Sequence, residues 1–386
     1  MRDLFPYLFS LFACISTLWA TASYAQDIQL PKRYHKRVKI GLSLPLSGSQ
    51  AEVGAEVQLM VQFIAKELAP EKYEFVTADD KCTEWGGVSA MHQLLNVHKV
   101  RYVLGPICNE TMQGAIDLIS KAGVTAITPT ASLPPSGNPA GAVLQTWPRD
   151  NIGLELMHKY VNSKYRVLGI ISEEGTRAKE TVETLLNFNK SHKLKMYNIW
   201  HPTGDTEFDT VRSKLVALTK RKVDVLLINS NSLDTFGKVY RRMLQSFFRK
   251  PVLAVFYPAR PEFLKYFKEK ADGIVFVDPP RLNDIVTEQG KEWHTEFKAA
   301  YPAKTTAPDF LFATTIEAFR TLHLGIQQEL TNPDFPIRDY LHSATFKGII
   351  GKYTFDESGI IEGVYPVLKT IQRGKVIAFR PGNHET

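Results

Sequence analysis

Strand-length apolar runs alternate with helical patterns from residue 38 onward, and this alternation limits the possible folds more than any other feature of the chain. The first series of predicted strands is Val38–Leu44, Tyr73–Ala78, Tyr102–Leu104 and Val124–Ile127. Helical patterns are predicted between them, at Ala51–Ala69, Gly87–His98 and Thr111–Ala122. This order is typical of βαβ units, in which a crossover helix joins two parallel strands. The sequence therefore predicts an α/β fold with parallel sheets.

A second series of the same kind follows. Its predicted strands are Arg166–Ile171, Met196–Trp200, Val223–Asn229, Val252–Phe256 and Gly273–Val277. Its predicted helices are Arg177–Ser191, Phe208–Lys220, Leu233–Phe247 and Pro261–Lys270. Two more helical stretches come after it, Thr287–Tyr301 and Asp309–Gln328, and then a β-rich ending in which "QRGK" predicts a hairpin turn. The chain thus builds one α/β layer structure and then another.

The length of the chain also favours two domains, at the usual 100–200 residues per domain. Three stretches rich in Pro, Gly or small residues separate the blocks, namely Gln145–Asp150, Val277–Asp284 and Thr345–Gly351. We therefore expect one lobe from residues 36–146 plus 281–345 and a second from residues 151–277 plus 350–386. Three crossings between lobes would make a constrained hinge.

The N-terminus has the pattern of a secretory signal peptide. An apolar stretch, Leu4–Ala22, follows the positive charge of Arg2. Small residues at Ser23 and Ala25 predict cleavage after Ala25, so residues 1–25 are excluded from the fold and the mature protein is expected in the periplasm. The alternatives are a membrane span, for which the stretch is short and polar, and a lipoprotein with Cys14 as the lipidated residue.

The remaining composition is that of an exported globular protein. Hydrophobic residues make up 44% and charged residues 23% of the chain, and no second apolar run approaches membrane length. The net charge of +7 is scattered, and its densest cluster is "KRYHKR" at residues 32–37. We interpret that cluster as a solvated lead-in rather than a nucleic-acid patch. No nucleic-acid partner is expected.

Export leaves two cysteines, Cys82 and Cys108, in the mature chain. An oxidising compartment favours an even pair joined in a disulfide. Two free buried thiols are the alternative.

Several stretches together resemble the periplasmic leucine/isoleucine/valine-binding protein family, the type I solute-binding proteins of ABC importers. They are "VKIGLSLPLSGSQAEVG", "DDKC", "YVLGPIC", "ITPTAS", "QTWPRD" and "FKGIIGKYTFDESG", and their order covers nearly the whole mature chain. The resemblance implies two Rossmann-like lobes joined by three crossover strands, which close on a small ligand. It also implies that the pair matching Cys82 and Cys108 is disulfide-bonded.

The resemblance implies ligand residues in both lobes. In the first lobe they are Asn109, Thr130, Ala131 and Ser132, in loops whose amide and hydroxyl groups suit a carboxylate. Turn and cap chemistry is the alternative role of Asn109, Thr130 and Ser132. The other candidates are Val53 and Arg177, near positions that are usually aromatic in relatives, together with Asn229, Asn231 and Tyr257 of the second lobe; surface-loop roles are the alternative there.

Tyr257 stands near a position that carries an acid for the ligand ammonium in relatives. A zwitterionic amino acid would lose its charge partner there, and a desolvated, unpaired ammonium is costly. The resemblance therefore implies a small carboxylate-bearing ligand, an amino acid or a related compound. The other two aromatic candidates are Trp85, as a pocket wall, and Trp147, for which core packing is the expected role.

The expected function is capture of this ligand by lobe closure and its delivery to an ABC transporter permease, by a monomer without cofactor or metal. An enzyme is disfavoured because the chain lacks GxGxxG after its first strand, GxxxxGK[ST], HExxH and GxSxG. No recognisable metal-ligand spacing is found among the histidines His92, His98, His201 and His294. A ligand-sensing receptor module of the same fold is the alternative, although a receptor would be expected to continue into a membrane span before Thr386.

Overall fold

The protein is described by a computed structural model at residues 37–134, 137–246, 248–279, 286–302 and 309–380. The first lobe contains a five-stranded sheet, all of whose pairings are parallel. Its strands are β1 (Val38–Leu44), β2 (Tyr73–Asp79), β3 (Tyr102–Leu104), β4 (Thr125–Thr128) and β5 (Val143–Gln145). Their spatial order is β2-β1-β3-β4-β5. This is the parallel sheet that the alternating pattern predicted.

Helices cover both faces of this sheet. They are α1 (Ala51–Leu68), α2 (Glu84–His92), which continues as a π-helical turn at Gln93–Val97, and α3 (Asn109–Lys121). The apolar stripe of α1 faces the strands, because residues three and four apart share one side of a helix. Helices α2 and α3 pack on the opposite face with a separate hydrophobic cluster.

The second lobe is built on a seven-stranded sheet. Its parallel strands are β6 (Val167–Glu173), β7 (Lys195–His201), β8 (Val225–Asn229), β9 (Val252–Val255) and β10 (Val275–Asp278). Its helices are α4 (Asp150–Lys164), α5 (Thr176–Asn189), α6 (Phe208–Lys220), α7 (Leu233–Gln245) and α8 (Pro261–Phe267). Hydrophobic clusters on both faces form its core.

The C-terminal part of the chain serves both lobes. Helices α9 (Glu288–Ala300), α10 (Asp309–Thr331) and α11 (Ile337–Ser343) belong to the first lobe, as does a small antiparallel sheet of β11 (Phe346–Gly348), β12 (Gly351–Phe355) and β13 (Ile361–Glu362). A hairpin of β14 (Val367–Gln372) and β15 (Lys375–Ala378) then joins the second sheet, in the order β15-β14-β10-β9-β8-β6-β7. The predicted hairpin turn is present.

The structure confirms the predicted fold class of two α/β lobes, but one crossing lies elsewhere. The chain leaves the first sheet after Gln145, as expected, and part of the second predicted crossing lies in residues 280–285, outside the described residues. After the third predicted crossing, Thr345–Gly351, the chain remains in the first lobe, because Tyr353, Phe355 and Ile361 lie in its core. The chain therefore returns to the second lobe only between residues 364 and 367, rather than at Thr345–Gly351. The reason is that these apolar side chains cover α10.

Candidate functional site

The carboxyl ends of the strands in both lobes carry the predicted ligand residues. In open parallel sheets, ligands bind outside the carboxyl ends of the strands. One hydrogen bond joins the lobes here: the side-chain amide nitrogen of Asn109, at the start of α3, lies 3.4 Å from Oε2 of Glu180 on α5. The N-terminal parts of the helices that follow β3 and β6 therefore contact each other between the lobes.

The first-lobe candidates lie together in the loops after β3 and β4. Oδ1 of Asn109 accepts a hydrogen bond of 2.9 Å from the backbone N–H of Ser132. The Thr130 hydroxyl donates to the Ile107 carbonyl at 2.7 Å, and the N–H of Ala131 donates to Oγ1 of Thr128 at 2.9 Å. The expected turn chemistry is thus present. A ligand carboxylate at this loop would replace Asn109 or Thr128 as acceptor.

A disulfide beside these loops holds them in place. Cys82 and Cys108 are bonded, with Cα atoms 5.4 Å apart, as predicted. The α2 and α3 helices that follow approach each other closely, because a Cβ at Gly87 would lie 2.3 Å from the Thr111 carbonyl oxygen. A Cβ at Gly114 would lie 2.1 Å from a backbone oxygen of α2. The glycines therefore allow the contact that fixes the start of α3.

Below the disulfide lies a buried polar pair. The Ser43 hydroxyl donates to Oδ2 of Asp80 at 2.8 Å, and the Cys82 N–H donates to Oδ1 at 3.0 Å. Burial raises the pKa of Asp80, and these two hydrogen bonds oppose the rise. The pair connects the end of β1 to the disulfide loop.

Arg177 lies in the first turn of α5, against an aromatic pair in the second lobe. Its Nη1 donates to the Tyr257 hydroxyl at 3.2 Å, and its guanidinium carbon lies 4.3 Å from the centre of the Phe256 ring. Burial raises the pKa of Tyr257, and the positive charge of Arg177 opposes the rise. Phe256 has φ of 65°, a conformation that costs about 1–3 kcal/mol and clusters at functional sites. The structure thus brings Arg177 and Tyr257 together.

Asn229 and Asn231 have hydrogen bonds within the second lobe. Nδ2 of Asn229 donates to Oγ of Ser172 and to the Ala178 carbonyl, and the residue is buried. Asn231 accepts from the Ala178 N–H at 3.2 Å and donates to the Glu174 carbonyl at 2.9 Å. Both side chains therefore hold the first turn of α5, which carries Arg177.

An ion pair lies near this cluster at the end of β10. Nζ of Lys369 is 2.7 Å from Oδ2 of Asp278. Burial raises the pKa of Asp278 to about 6, although Lys369, Arg260 and Arg177 all favour the charged form. The pair joins β10 to β14.

The other candidates lie at the edges of the site. Val53 is half-buried on α1 and packs against the first-lobe core. Trp85 is 83% exposed on α2, rather than enclosed in a pocket wall. Trp147 packs edge-on against Phe256 and Phe310, with ring centroids 5.8 and 5.5 Å away. Because Phe310 belongs to the first-lobe core, Trp147 packs between the lobes at the hinge.

The sequence reasoning missed Glu180 and Phe256. A signal for Glu180 was present: residues three apart lie on one face of a helix, so a cleft-facing Arg177 places Glu180 beside the cleft as well. Phe256 gave no such signal, because its left-handed backbone is visible only in the structure.

Comparisons with known proteins agree with this architecture. Residues 37–371 match the family described as periplasmic binding protein. The Leu/Ile/Val-binding protein BraC3 of Rhizobium johnstonii is 23% identical over 373 residues, covering 93% of this chain and 98% of that protein. The Leu/Ile/Val-binding protein of Escherichia coli K12 is 22% identical over 363 residues, covering 92% and 93%.

Solved structures share the fold. The leucine-binding protein LivK of Thermotoga maritima has a TM-score of 0.77 at 18% identity, covering 89% of this chain and 98% of that one. A solute-binding protein of an ABC transporter from Rhodopseudomonas palustris, in complex with benzoate, has a TM-score of 0.72 at 17% identity, covering 89% and 95%. Among the described residues, no helix combines the length and apolar character that a bilayer crossing requires. The chain belongs to the periplasmic binding protein family, whose members bind solutes and are not enzymes.

Proposed function

We propose that the protein captures a small carboxylate-bearing solute, an amino acid or a related compound, between its two lobes and delivers it to an ABC importer. The observation that carries the proposal is the position of Arg177, whose guanidinium lies at the carboxyl edge of the second lobe beside Tyr257. A guanidinium forms strong, charge-assisted hydrogen bonds with carboxylates. The first-lobe loop of Asn109, Thr130, Ala131 and Ser132 is proposed as the second contact, because Asn109 contacts Glu180 on the helix that carries Arg177.

The ligands named for relatives are consistent with this class. Two of the curated relatives are named for leucine, isoleucine and valine, and the Rhodopseudomonas palustris structure contains benzoate. Leucine and benzoate share little except an apolar body and a carboxylate. We therefore propose that the carboxylate is the part of the ligand that the protein always recognises. Val53 and Tyr257 are proposed to contact the apolar part of the ligand. Asn229 and Asn231 are proposed to act indirectly, by holding the first turn of α5.

The family also supports a proposal for the partner and the location. We propose an extracytoplasmic monomer, exported by the signal peptide that ends at Ala25, which presents its closed form to a permease. Closure would bend the chain at the three crossings, as in the hinge motion of periplasmic binding proteins. Trp147, packed between the lobes, lies at one of them.

A thermal-shift screen of amino acids, amides, and aliphatic and aromatic carboxylates tests the ligand class. A ligand at about 100 times its dissociation constant should stabilise the fold by about 2.7 kcal/mol, which is a shift of several degrees. Arg177→Ala should weaken binding of the best carboxylate by about tenfold or more, as expected for a hydrogen bond to a charged group. Exposed Arg241→Ala on α7 is the matched control.

Two further results would contradict the proposal. If amides bound with the same affinity as the matching carboxylates, the protein would not recognise the carboxylate group. An unchanged radius of gyration in small-angle scattering, with the best ligand at saturation, would exclude lobe closure.

A further inference from the structure

A strained aromatic residue lies between the proposed ligand contact and the hinge. Among the described residues, eight residues other than glycine have positive φ, and Phe256 is the only buried one of these. Its φ of 65° and ψ of −42° are near those of a γ-turn with positive φ, which is rare and strained. Such strain persists only where the surrounding structure holds it, and it clusters at functional sites. The contacts that hold Phe256 therefore indicate its role.

The backbone of Phe256 is bonded to a strand beside the hinge. Its N–H donates to the Val277 carbonyl at 2.8 Å. Val277 lies near the end of β10, before the second crossing, and it pairs with Leu368 of β14, which follows the third crossing. Phe256 is thus fixed to the part of the second lobe that carries two of the three crossings.

The ring of Phe256 contacts both a cation and the first crossing. The Arg177 guanidinium carbon lies 4.3 Å from the ring centre. Trp147, in the first crossing, packs edge-on against Phe256 with centroids 5.8 Å apart, and its centroid lies 5.5 Å from that of Phe310 in the first-lobe core. These four side chains form one contiguous series of contacts from the edge of the second lobe to the core of the first.

We infer that Phe256 is a positioning residue for ligand capture: its ring holds the Arg177 guanidinium in the orientation that a ligand carboxylate meets, and Trp147 holds the ring at the hinge. The inference rests on the proposed function, and it adds to that function a residue that acts through Arg177.

Two contacts together fix the orientation of the guanidinium. The face of an aromatic ring attracts a cation, and Nη1 of Arg177 donates to the Tyr257 hydroxyl at 3.2 Å. Among the described residues, that hydroxyl is the one hydrogen-bond acceptor of the guanidinium, so its other N–H groups remain for a ligand carboxylate. A long side chain that is already ordered loses less entropy when a ligand binds, which increases affinity by roughly threefold to tenfold.

The position of the ring depends in turn on the hinge. Trp147 contacts Phe256 of the second lobe and Phe310 of the first, so rotation of the lobes about the first crossing moves these rings relative to one another. Energetic coupling between two sites is carried by such series of packed side chains. Removal of the Trp147 ring should therefore reach Arg177 through Phe256.

A double-mutant cycle on ligand affinity tests this role. The variants are Phe256→Leu, Arg177→Ala and the two combined. The probes are L-leucine and benzoate, and their dissociation constants are measured by calorimetry. Leucine at position 256 keeps an apolar side chain but removes the ring face. The control is Phe267→Leu, which removes another buried ring of the second-lobe core, one that packs against Tyr240 and Phe263.

Phe256→Leu should weaken binding of the tighter probe by roughly threefold to tenfold where Arg177 is present, and should leave binding unchanged in Arg177→Ala. Trp147→Leu should weaken binding by about threefold in the wild type and not in Phe256→Leu. Phe267→Leu should lower the thermal midpoint, as Phe256→Leu does, without changing affinity. A purely structural ring at position 256 would weaken binding equally in both backgrounds.

The outcomes separate this role from the proposed function. Equal weakening by Phe256→Leu with and without Arg177, or no weakening at all, overturns the positioning role and keeps the proposed function, because Arg177→Ala still weakens binding. An effect of Trp147→Leu that persists in Phe256→Leu overturns the connection to the hinge. Unchanged binding in Arg177→Ala overturns the Arg177 contact and the positioning role together. If neither probe and no carboxylate of the thermal-shift screen binds the wild type, the proposed function fails as well.

Discussion

Removing the buried carboxylate of Glu317 should destabilise the first lobe strongly. Glu317 lies on α10 with no exposed side-chain surface. Both of its oxygens are 2.9 Å from Nη1 of Arg320, and it also accepts from the Tyr353 hydroxyl and the Ile349 N–H. Arg320, Tyr353 and Ile349 therefore lose this acceptor in Glu317→Ala. Removing one partner of a buried ion pair lowers the free energy of unfolding by about 3–5 kcal/mol.

The expected loss is measurable by denaturation. At about 2–4 °C per kcal/mol, a loss of this size lowers the melting temperature by about 6–20 °C. Urea unfolding at pH 7 gives the free energy directly. Glu296→Ala, at an exposed position of α9, is the control and should change stability by less than about 0.5 kcal/mol.

A double variant separates the ion pair from the space that it fills. Glu317→Met combined with Arg320→Met removes both charges and keeps much of the volume, so it should be less destabilising than Glu317→Ala. Two results would show that the buried charge does not hold the β11–β12 turn on α10. One is a loss of less than about 1 kcal/mol of unfolding free energy in Glu317→Ala, and the other is a larger loss in the double variant than in Glu317→Ala.

Two other predictions concern the first lobe. Replacing Cys82 and Cys108 by Ser opens a loop whose ends are 26 residues apart. On the chain-entropy model this change should lower the free energy of unfolding by about 3.5 kcal/mol. Equal urea midpoints for the oxidised wild type and the variant would contradict this prediction. Burial lowers the pKa of His323 to about 4, and its ring lies 2.6 Å from the Tyr73 hydroxyl. Because the unfolded chain takes up this proton near pH 6.5, stability is lost as the pH falls from about 6.5 to 4, by about 2 kcal/mol at pH 5. His323→Gln should remove that part of the acid sensitivity, and exposed His92→Gln should not.

The periodic elements could be predicted because their cause is local. β1, β3 and α6 have the predicted bounds, because a strand inside a parallel sheet is a short continuous apolar run and the buried face of a helix repeats with period 3.6. The disulfide was predictable as well, because the predicted signal-peptide cleavage would leave only Cys82 and Cys108 to pair. β5 (Val143–Gln145) was not predicted as a strand, and its last residue was assigned to the predicted crossing Gln145–Asp150.

The lobe boundary and the charges of the site were decided by tertiary packing. The sequence of residues 350–364 indicates a short β-rich stretch but not the lobe to which it belongs. These residues complete the first lobe because their apolar side chains pack in the same core as α10. Glu180 reads as an ordinary helix-surface acid until the two lobes come together and place it beside Asn109. Local patterns of apolar residues thus determined the elements and the α/β class, and the count of cysteines determined the disulfide. Which side chains share the cleft depended on contacts between residues about 70 or more positions apart, and such contacts leave no periodic trace in one sequence.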